Sequence, residues 1–282
     1  DRRQRQMCIR DRSRTSSGNA GAMLDLFHLT QAQFETYLLI VVRVSTMLFV
    51  FPVFSAKQIP LLVRIGLAFL ISFVVYRAVP EMAPLPDAGA LAAAVVSQVV
   101  LGLIVGFVAY LVFMGIQFAG EIIDIQIGFA VANILNPTTQ QQVTVIGELQ
   151  LTLATLIFLM SDSHLLMLQG IGGSFHLVAL PYINLDPSVA TNVVTFLEQA
   201  FLIVLKIAAP PAVALFLVNL ALGLMARVAP QMNVFVVGLP VQIGVGLLMM
   251  AVSVPLLGYV APELFSNTAH QMDAVMRGMA TH

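Results

Sequence analysis

Two carboxylates stand three residues apart near the end of a long apolar stretch, at Glu121 and Asp124. Side chains with this spacing share one face of a helix. Paired carboxylates can relay protons, or act as the acid and base of a glycosidase. No nucleophile or base in a recognisable motif lies near them in the sequence. A solvated helix end is therefore the simpler interpretation of the pair.

The histidines and glycines form no recognisable metal or phosphate motif. His164 and His176 lack the i, i+4 spacing that a helix uses to bind zinc. The glycines of 170–173 are followed by no Lys-Ser or Lys-Thr pair, so this stretch predicts a flexible connector. The chain also lacks a basic, aromatic surface for nucleic acid. We expect no cofactor, no metal and no nucleic-acid partner.

Four basic side chains lie in or beside apolar stretches: Arg43, Arg64, Arg77 and Lys206. A cation at the middle of a bilayer costs roughly 2.5–3.5 kcal/mol, so it usually faces protein or water. Arg64 and Arg77 lie where a long side chain can reach the polar layer from a helix end. Arg43 and Lys206 are deeper. We expect each of these two to pair with a carboxylate of this chain or of a partner subunit.

The elements that carry these residues are apolar enough to cross a membrane. Hydrophobic residues make up 59% of the chain and charged residues 10%, against roughly 25% charged in a soluble domain. Several apolar runs approach the roughly 20 residues that span a bilayer. Gly102 and Gly106 have the spacing that lets two helices approach closely. The sequence predicts an all-α membrane protein with about six helices, at about 37–54, 61–79, 88–119, 148–160, 189–229 and 234–260.

Polar breaks interrupt these apolar segments. Residues 80–87 contain three prolines, which predicts a loop. Residues 121–147 form the longest interruption, where Asn136-Pro137 should end a helix. A third break, with Arg227, Gln231 and Asn233, separates the last two apolar segments. A break in a membrane segment is tolerated only where protein or water satisfies its polar groups.

The first 22 residues differ from the rest of the chain. They hold six of the 13 basic side chains and no apolar run, so they cannot bury enough surface to become ordered. This basic leader is either an arm that binds anionic lipid or a stretch foreign to the natural chain, which would then begin at Met23. We expect residues 23–282 to form one domain.

Three stretches of the sequence together carry a family pattern. The first joins Arg43 to Phe51–Phe54, Ile59-Pro60 and Arg64–Ala68; the second runs from Ala119 to Asp124 with Asn136-Pro137 behind it. The third is the most specific and reads Asn219–Gly223, Arg227, Ala229-Pro230-Gln231-Met232-Asn233, Phe235 and Gly238-Leu239-Pro240. These stretches resemble the FliR family of the type III secretion export gate, and the resemblance covers nearly everything from Met23 onward.

The resemblance implies a structural subunit and not an enzyme. FliR-like proteins assemble with FliP and FliQ into a channel for unfolded flagellar substrates, beside FlhB and FlhA. The implied location is the bacterial inner membrane at the flagellar basal body. The implied fold is a fusion of FliP-like and FliQ-like parts, built from kinked helical hairpins. Seven polar residues then become intersubunit or buried polar features: Arg43, Glu121, Asp124, Lys206, Arg227, Gln231 and Asn233.

The family also assigns a role to the longest polar interruption. By resemblance, residues 130–143 match the segment that projects into the closed channel as a plug. Its candidate plug residues are Asn133, Asn136, Pro137, Thr138, Gln140 and Gln141. Glu121 and Asp124 would then lie at the root of this loop and hold its position.

Other functions remain open at the level of sequence. The equivalent subunit of a virulence injectisome is the nearest alternative. A secondary transporter or channel would also contain broken apolar segments and intramembrane charges. Such a transporter is expected to show two related halves with matching breaks, and these halves do not match. An intramembrane enzyme is disfavoured because no catalytic set is visible.

Overall fold

The computed structural model describes residues 30–55, 59–129, 144–184, 186–231 and 233–280. All regular secondary structure in these ranges is helical, which confirms the all-α prediction. The basic leader and the six candidate plug residues, Asn133, Asn136, Pro137, Thr138, Gln140 and Gln141, lie outside the described residues.

Eight helices make up the described part of the chain, and three of them are far longer than a bilayer is thick. The helices of 40, 42 and 44 residues are about 60–66 Å long, against about 30 Å of hydrocarbon core. Numbered along the chain, the helices are α1 (Gln31–Val50), α2 (Pro52–Ser55), α3 (Leu61–Tyr76), α4 (Ala88–Ile127), α5 (Val145–Met160), α6 (Ser163–Leu177), α7 (Pro187–Val228) and α8 (Val234–Arg277).

Side chains in the sequence fix where several helices begin. Thr30 and the Gln33 side chain form a capping box at the start of α1. Asp87 accepts a hydrogen bond from the Ala90 N–H at the start of α4. Asp186 does the same for Ser188, with Pro187 in the first turn of α7. The proline-rich stretch before Asp87 is not helical, as the sequence predicts.

Two boundaries that the sequence suggested are wrong. The glycine-rich stretch expected to be a connector is helix α6, because Met167, Ile171 and Phe175 recur every four residues and are buried. The last helix does not end near residue 260, since α8 continues to Arg277. There Phe265, Met272 and Met276 are almost fully buried, so packing extends the helix through a more polar sequence.

Helix α4 forms the axis of the molecule. Helices α1 and α7 run in its direction: Arg43 and Thr46 meet Gly102, while Val204 lies against Gly115. Helix α8 runs the opposite way, with Gly246 at Ile127 and Phe265 at Phe113.

Helices α5 and α6 also run opposite to α4 but are bent by 74° at their junction. Phe158 of α5 packs on Phe113, and the α6 end reaches the level of Gln98. The pair therefore follows α4 from one end towards the other and forms one broken span.

An aromatic cluster fills the centre of the core. Phe51, Phe113, Phe158 and Phe265 come from four separate parts of the chain, and their ring centroids lie 5.0–5.7 Å apart. Most of these pairs are edge-to-face or tilted, geometries that aromatic rings favour. The cluster ties α1, α4, α5 and α8 together at the level where the broken span bends.

The close approach of α1 to α4 depends on two glycines, as their spacing predicts. A Cβ on Gly102 would lie 2.7 Å from Cβ of Thr46, and one on Gly106 would lie 2.8 Å from Cβ of Val50. Both neighbours are β-branched and stiff at χ1, so they cannot easily move aside. Only glycine allows α1 to pack this close.

Replacing Gly106 by alanine should therefore destabilise the chain. Gly106→Ala forces the two helices apart, and we expect a loss of roughly 1–3 kcal/mol in the free energy of unfolding. The matched control is Gly172→Ala in α6, where a Cβ would meet nothing within 4 Å. There alanine should be neutral or stabilising by about 0.5–1 kcal/mol. Thermal unfolding in detergent compares the two variants, and equal midpoints would contradict the packing argument.

Candidate functional site

The most constrained polar group in the structure is the guanidinium of Arg43, which is 0% exposed. Its Nε donates to Oε1 of Gln98 at 2.6 Å. Its Nη1 donates to the main-chain carbonyls of Ser174 and Val178, both at 3.0 Å. Its Cζ lies 4.2 Å from the ring centroid of Phe175, a cation–π contact. Arg43 thus joins α1 to α4 and to the end of α6.

The partners of Arg43 differ from the carboxylate that we expected. Among the described residues they are an amide and two carbonyl groups, and the side chain is too deeply buried for a partner subunit to reach. The last carbonyls of a helix lack partners within that helix and carry its negative end of the dipole. Ser174 and Val178 lie at this end of α6. The Ser174 carbonyl accepts from the Val178 N–H of its own helix as well, and Arg43 donates from another helix to both carbonyls.

Gln98 extends this network by one more carbonyl. Its Nε2 donates to the carbonyl of Pro181 at 2.6 Å, while its Oε1 accepts from Arg43. Further along the same connection, the Asn184 N–H donates to the carbonyl of Met279 after α8. The main chain of the segment between α6 and α7 is thus held by the Gln98 side chain at Pro181 and by the Met279 carbonyl at Asn184.

Asp124 has a comparable role at the other end of the broken span. Its carboxylate is 4% exposed and accepts hydrogen bonds from the N–H groups of Ile146 and Gly147 at 3.1–3.2 Å. The local N-cap residue of α5, Thr144, makes no side-chain capping bond. Asp124 of α4 therefore caps α5 from a different helix, and it is not a solvated helix end.

Backbone contact brings α4 and α5 close enough for this capping. A Cβ on Gly120 would lie 2.6 Å from Cα of Gly147. Glu121 is half-buried, and its Cγ packs beside Gly147. Only Asp124 of the two carboxylates reaches the free N–H groups of α5. Both lie where α4 ends and α5 begins.

Lys206 lies on an exposed apolar stripe of α7. Its side chain is exposed and has no hydrogen-bond or ion-pair partner among the described residues. Pro210 and Pro211 follow one turn later and leave two backbone carbonyls of α7 without their usual N–H donors. The exposed stripe around Lys206 comprises Leu202, Leu205, Val213, Phe216, Leu220, Leu224 and Val228.

The third polar break forms the tip of the α7–α8 hairpin. Arg227, Gln231 and Asn233 are all exposed there, and Asn233 accepts main-chain bonds from the first turn of α8. Below the tip, Gln242 donates to Oδ1 of Asn219 and fixes the two helices against each other. Gly128, which ends α4 with φ 92°, lies beside Leu239 and Gln242. The hairpin therefore contacts the end of α4.

Sequence reasoning missed several partners in these networks. Gln98 gave a usable signal, because an amide in the strongly apolar first half of α4 needs a polar partner. The carbonyls of Ser174 and Val178 gave none, since main-chain groups are the same at every position. Asn219 belongs to a stretch that the sequence singled out, but its partner Gln242 could not be identified.

Comparison with known proteins supports a single family. Residues 34–268 match the family described as Bacterial export proteins, family 1. The chain is 34% identical over 243 residues to the flagellar biosynthetic protein FliR of Bacillus subtilis (strain 168), covering 85% of this chain and 93% of that protein. It is 31% identical over 226 residues to FliR of Escherichia coli (strain K12), covering 80% and 86%.

A virulence protein is also similar. The chain is 31% identical over 230 residues to the Yop proteins translocation protein T of Yersinia pestis, covering 79% of this chain and 87% of that protein. Each of these relatives is matched over most of its length. The similarity therefore extends across the helices that carry Arg43, Asp124 and Lys206.

Lysine should not replace arginine at position 43. An ammonium cannot reproduce the planar fork that serves Gln98 and two carbonyls at once, and each buried acceptor left unpaired costs about 1–3 kcal/mol. We expect Arg43→Lys to lower the thermal midpoint in detergent clearly. The control Arg77→Lys, at an exposed position, should leave it unchanged. Equal midpoints for the two variants would show that the Arg43 network contributes little.

Removal of the Asp124 carboxylate should loosen the start of α5. We expect Asp124→Ala to cost roughly 1–3 kcal/mol, because two N–H groups of α5 lose their acceptor. Asp124→Asn retains a capping oxygen and should cost less. Glu121→Ala is the control on the same helix, since Glu121 accepts no hydrogen bond from α5. Faster amide hydrogen exchange at residues 145–149 in Asp124→Ala alone would support the capping role.

Proposed function

The chain belongs to family 1 of the bacterial export proteins, and from this membership we propose that it is a structural subunit of the flagellar type III protein export gate. In this role it forms, with FliP- and FliQ-like subunits, the channel through which unfolded flagellar substrates enter the export pathway. FlhB- and FlhA-like components act beside it. The gate lies in the bacterial inner membrane at the flagellar basal body. We propose a structural role and not an enzymatic one.

The structural observation that carries this proposal is the length of the exposed apolar surface along α7, which supports the role of a subunit. On α7 it extends from Val194, which is 63% exposed, to Val228, which is 85% exposed. These residues are separated by about 51 Å along the helix. A bilayer is about 40–45 Å thick with its headgroups, and only about 30 Å of it is hydrocarbon. Lipid alone therefore cannot cover this surface, so partner proteins are needed.

Lys206 supports the same conclusion. An ammonium on an apolar stripe would be costly against lipid, by roughly 2.5–3.5 kcal/mol at the bilayer centre. We propose that a carboxylate of a partner subunit lies opposite Lys206 in the assembled gate. The polar tip with Arg227, Gln231 and Asn233 is likewise proposed as an intersubunit contact.

The flagellar gate is favoured over the injectisome. The flagellar protein of Bacillus subtilis is 34% identical to this chain, and the Yersinia pestis protein is 31% identical. A plug role for residues 130–143 stays a prediction from family resemblance, because its candidate residues lie outside the described part of the chain.

Co-expression with FliP- and FliQ-like subunits of the same organism tests the proposal. A tagged chain purified in mild detergent should recover one large stable complex. Lys206→Leu should lower this recovery because the partner carboxylate loses its cation, whereas Lys206→Arg should retain it. Leu205→Met is a matched control on the same stripe, since it keeps an apolar side chain of similar volume.

Two outcomes would contradict parts of this proposal. If the chain purifies as a stable protein without partners, the gate assignment is wrong and a transporter is favoured. If Lys206→Leu assembles normally, the gate assignment stands, but the proposed partner carboxylate opposite Lys206 is contradicted.

A further inference from the structure

A cleft of about 710 Å³ lies on the seam between α4 and α5, bounded at one side by α2. Most of its lining is apolar, but three side chains in it are polar and have no hydrogen-bond partner among the described residues: Tyr110, Gln117 and Glu148. Thr152 lines it too and bonds the Glu148 carbonyl of its own helix. We call these four residues the polar furrow.

The spacing of these residues aligns them along the seam. Tyr110 and Gln117 are two helical turns apart on α4, and Glu121 follows after one more turn on the same face. Glu148 and Thr152 are one turn apart on α5. The furrow therefore runs along both helices towards the point where α4 ends and α5 begins.

Lipid is a poor occupant of this furrow. A polar group in hydrocarbon without a partner costs several kcal/mol, so such groups in membrane segments face protein or a water-filled space. α4 is long and apolar enough to cross a membrane, and α5 is part of the broken span. A phenol, an amide and a carboxylate without partners on such helices are therefore expected to face protein or a water-filled space, and not hydrocarbon.

An inserted helix of a partner is also a poor fit. At one end of the seam α4 and α5 are in backbone contact, at Gly120 and Gly147. A helix with its side chains is about 10–12 Å wide, so it cannot part α4 from α5 at this end of the seam. Water can enter the cleft, because its volume of about 710 Å³ far exceeds the roughly 10–15 Å³ that one water needs.

From this geometry we infer that the polar furrow faces the water-filled path of the assembled gate and lines part of it. This inference rests on the proposed export-gate function and deepens it, because it assigns one face of the subunit to the path. The exposed apolar stripe of α7 that carries Lys206 is a different surface, directed to partner proteins. Unfolded polypeptide passing the furrow would meet hydroxyl, amide and carboxylate groups.

Cysteine labelling in the assembled complex tests the inference. Replacing Cys8 by serine removes the single cysteine of the chain, and Gln117→Cys, Thr152→Cys and Ser55→Cys then place one thiol each in the cleft. The probe is a charged, membrane-impermeant methanethiosulfonate. The matched control is Phe118→Cys, the next residue on α4, which is 47% exposed but does not line the cleft.

Thiols in the cleft should react at least about tenfold faster than the control. The reactive species is the thiolate, and apolar surroundings raise the pKa of a thiol; each unit removes about tenfold of the thiolate. Complex recovery is measured for every variant, and only variants that assemble normally are compared. Similarly fast labelling of Gln117→Cys and Thr152→Cys, on two different helices, would show that the furrow is filled with water.

Equal rates for the cleft thiols and Phe118→Cys, in complexes recovered at normal yield, would overturn the inference but leave the gate function intact. Slow labelling throughout would mean that a partner segment or lipid fills the cleft. Failure of the unmodified chain to form any complex would instead contradict the proposed function.

Discussion

The structure depends on one buried cation that is held without a carboxylate. The guanidinium of Arg43 is fully enclosed. Its Nε and Nη1 donate to Gln98 and to the carbonyls at the end of α6, while its Nη2 has no hydrogen-bond partner among the described residues. This arrangement requires α1 to lie within backbone contact of α4, which Gly102 and Gly106 allow. It also requires α6 to end at this level. If either element moved, a charge would remain unpaired in an apolar core, at a cost of several kcal/mol.

A second charge acts at the other end of the broken span α5–α6. Asp124 accepts from the first free N–H groups of α5, and Arg43 donates to the last carbonyls of α6. An anion at a helix N-terminus and a cation at a C-terminus are each favourable against the helix dipole. The broken span α5–α6 is thus held at its two ends by charges of opposite sign from other helices. Its 74° bend lies between them, beside the aromatic cluster.

The protein has two different outer surfaces, one on α7 and one at the seam between α4 and α5. Together they suit a subunit of an assembly and not an isolated membrane protein. The exposed apolar surface of α7, from Val194 to Val228, is longer than a bilayer is thick and contains Lys206. The seam between α4 and α5 instead holds a cleft lined by phenol, amide and carboxylate groups. One surface is suited to protein partners and the other to water. The rigid core with Arg43 and Asp124 keeps the two surfaces in a fixed relation.

The sequence by itself determined the class of the protein. Apolar segments of membrane length, the prolines before Asp87 and the glycine pair at 102 and 106 follow local chemistry, and the structure confirms each of them. Resemblance over most of the chain gave the family. Local sequence could not identify the partners of Arg43 and Asp124, because these are main-chain groups that any residue offers. Nor did it reveal that the glycines of α6 lie in a helix, since burial against other helices outweighs their weak propensity. Tertiary structure alone decided these points, because it alone brings the start of α5 to Asp124 and the end of α6 to Arg43.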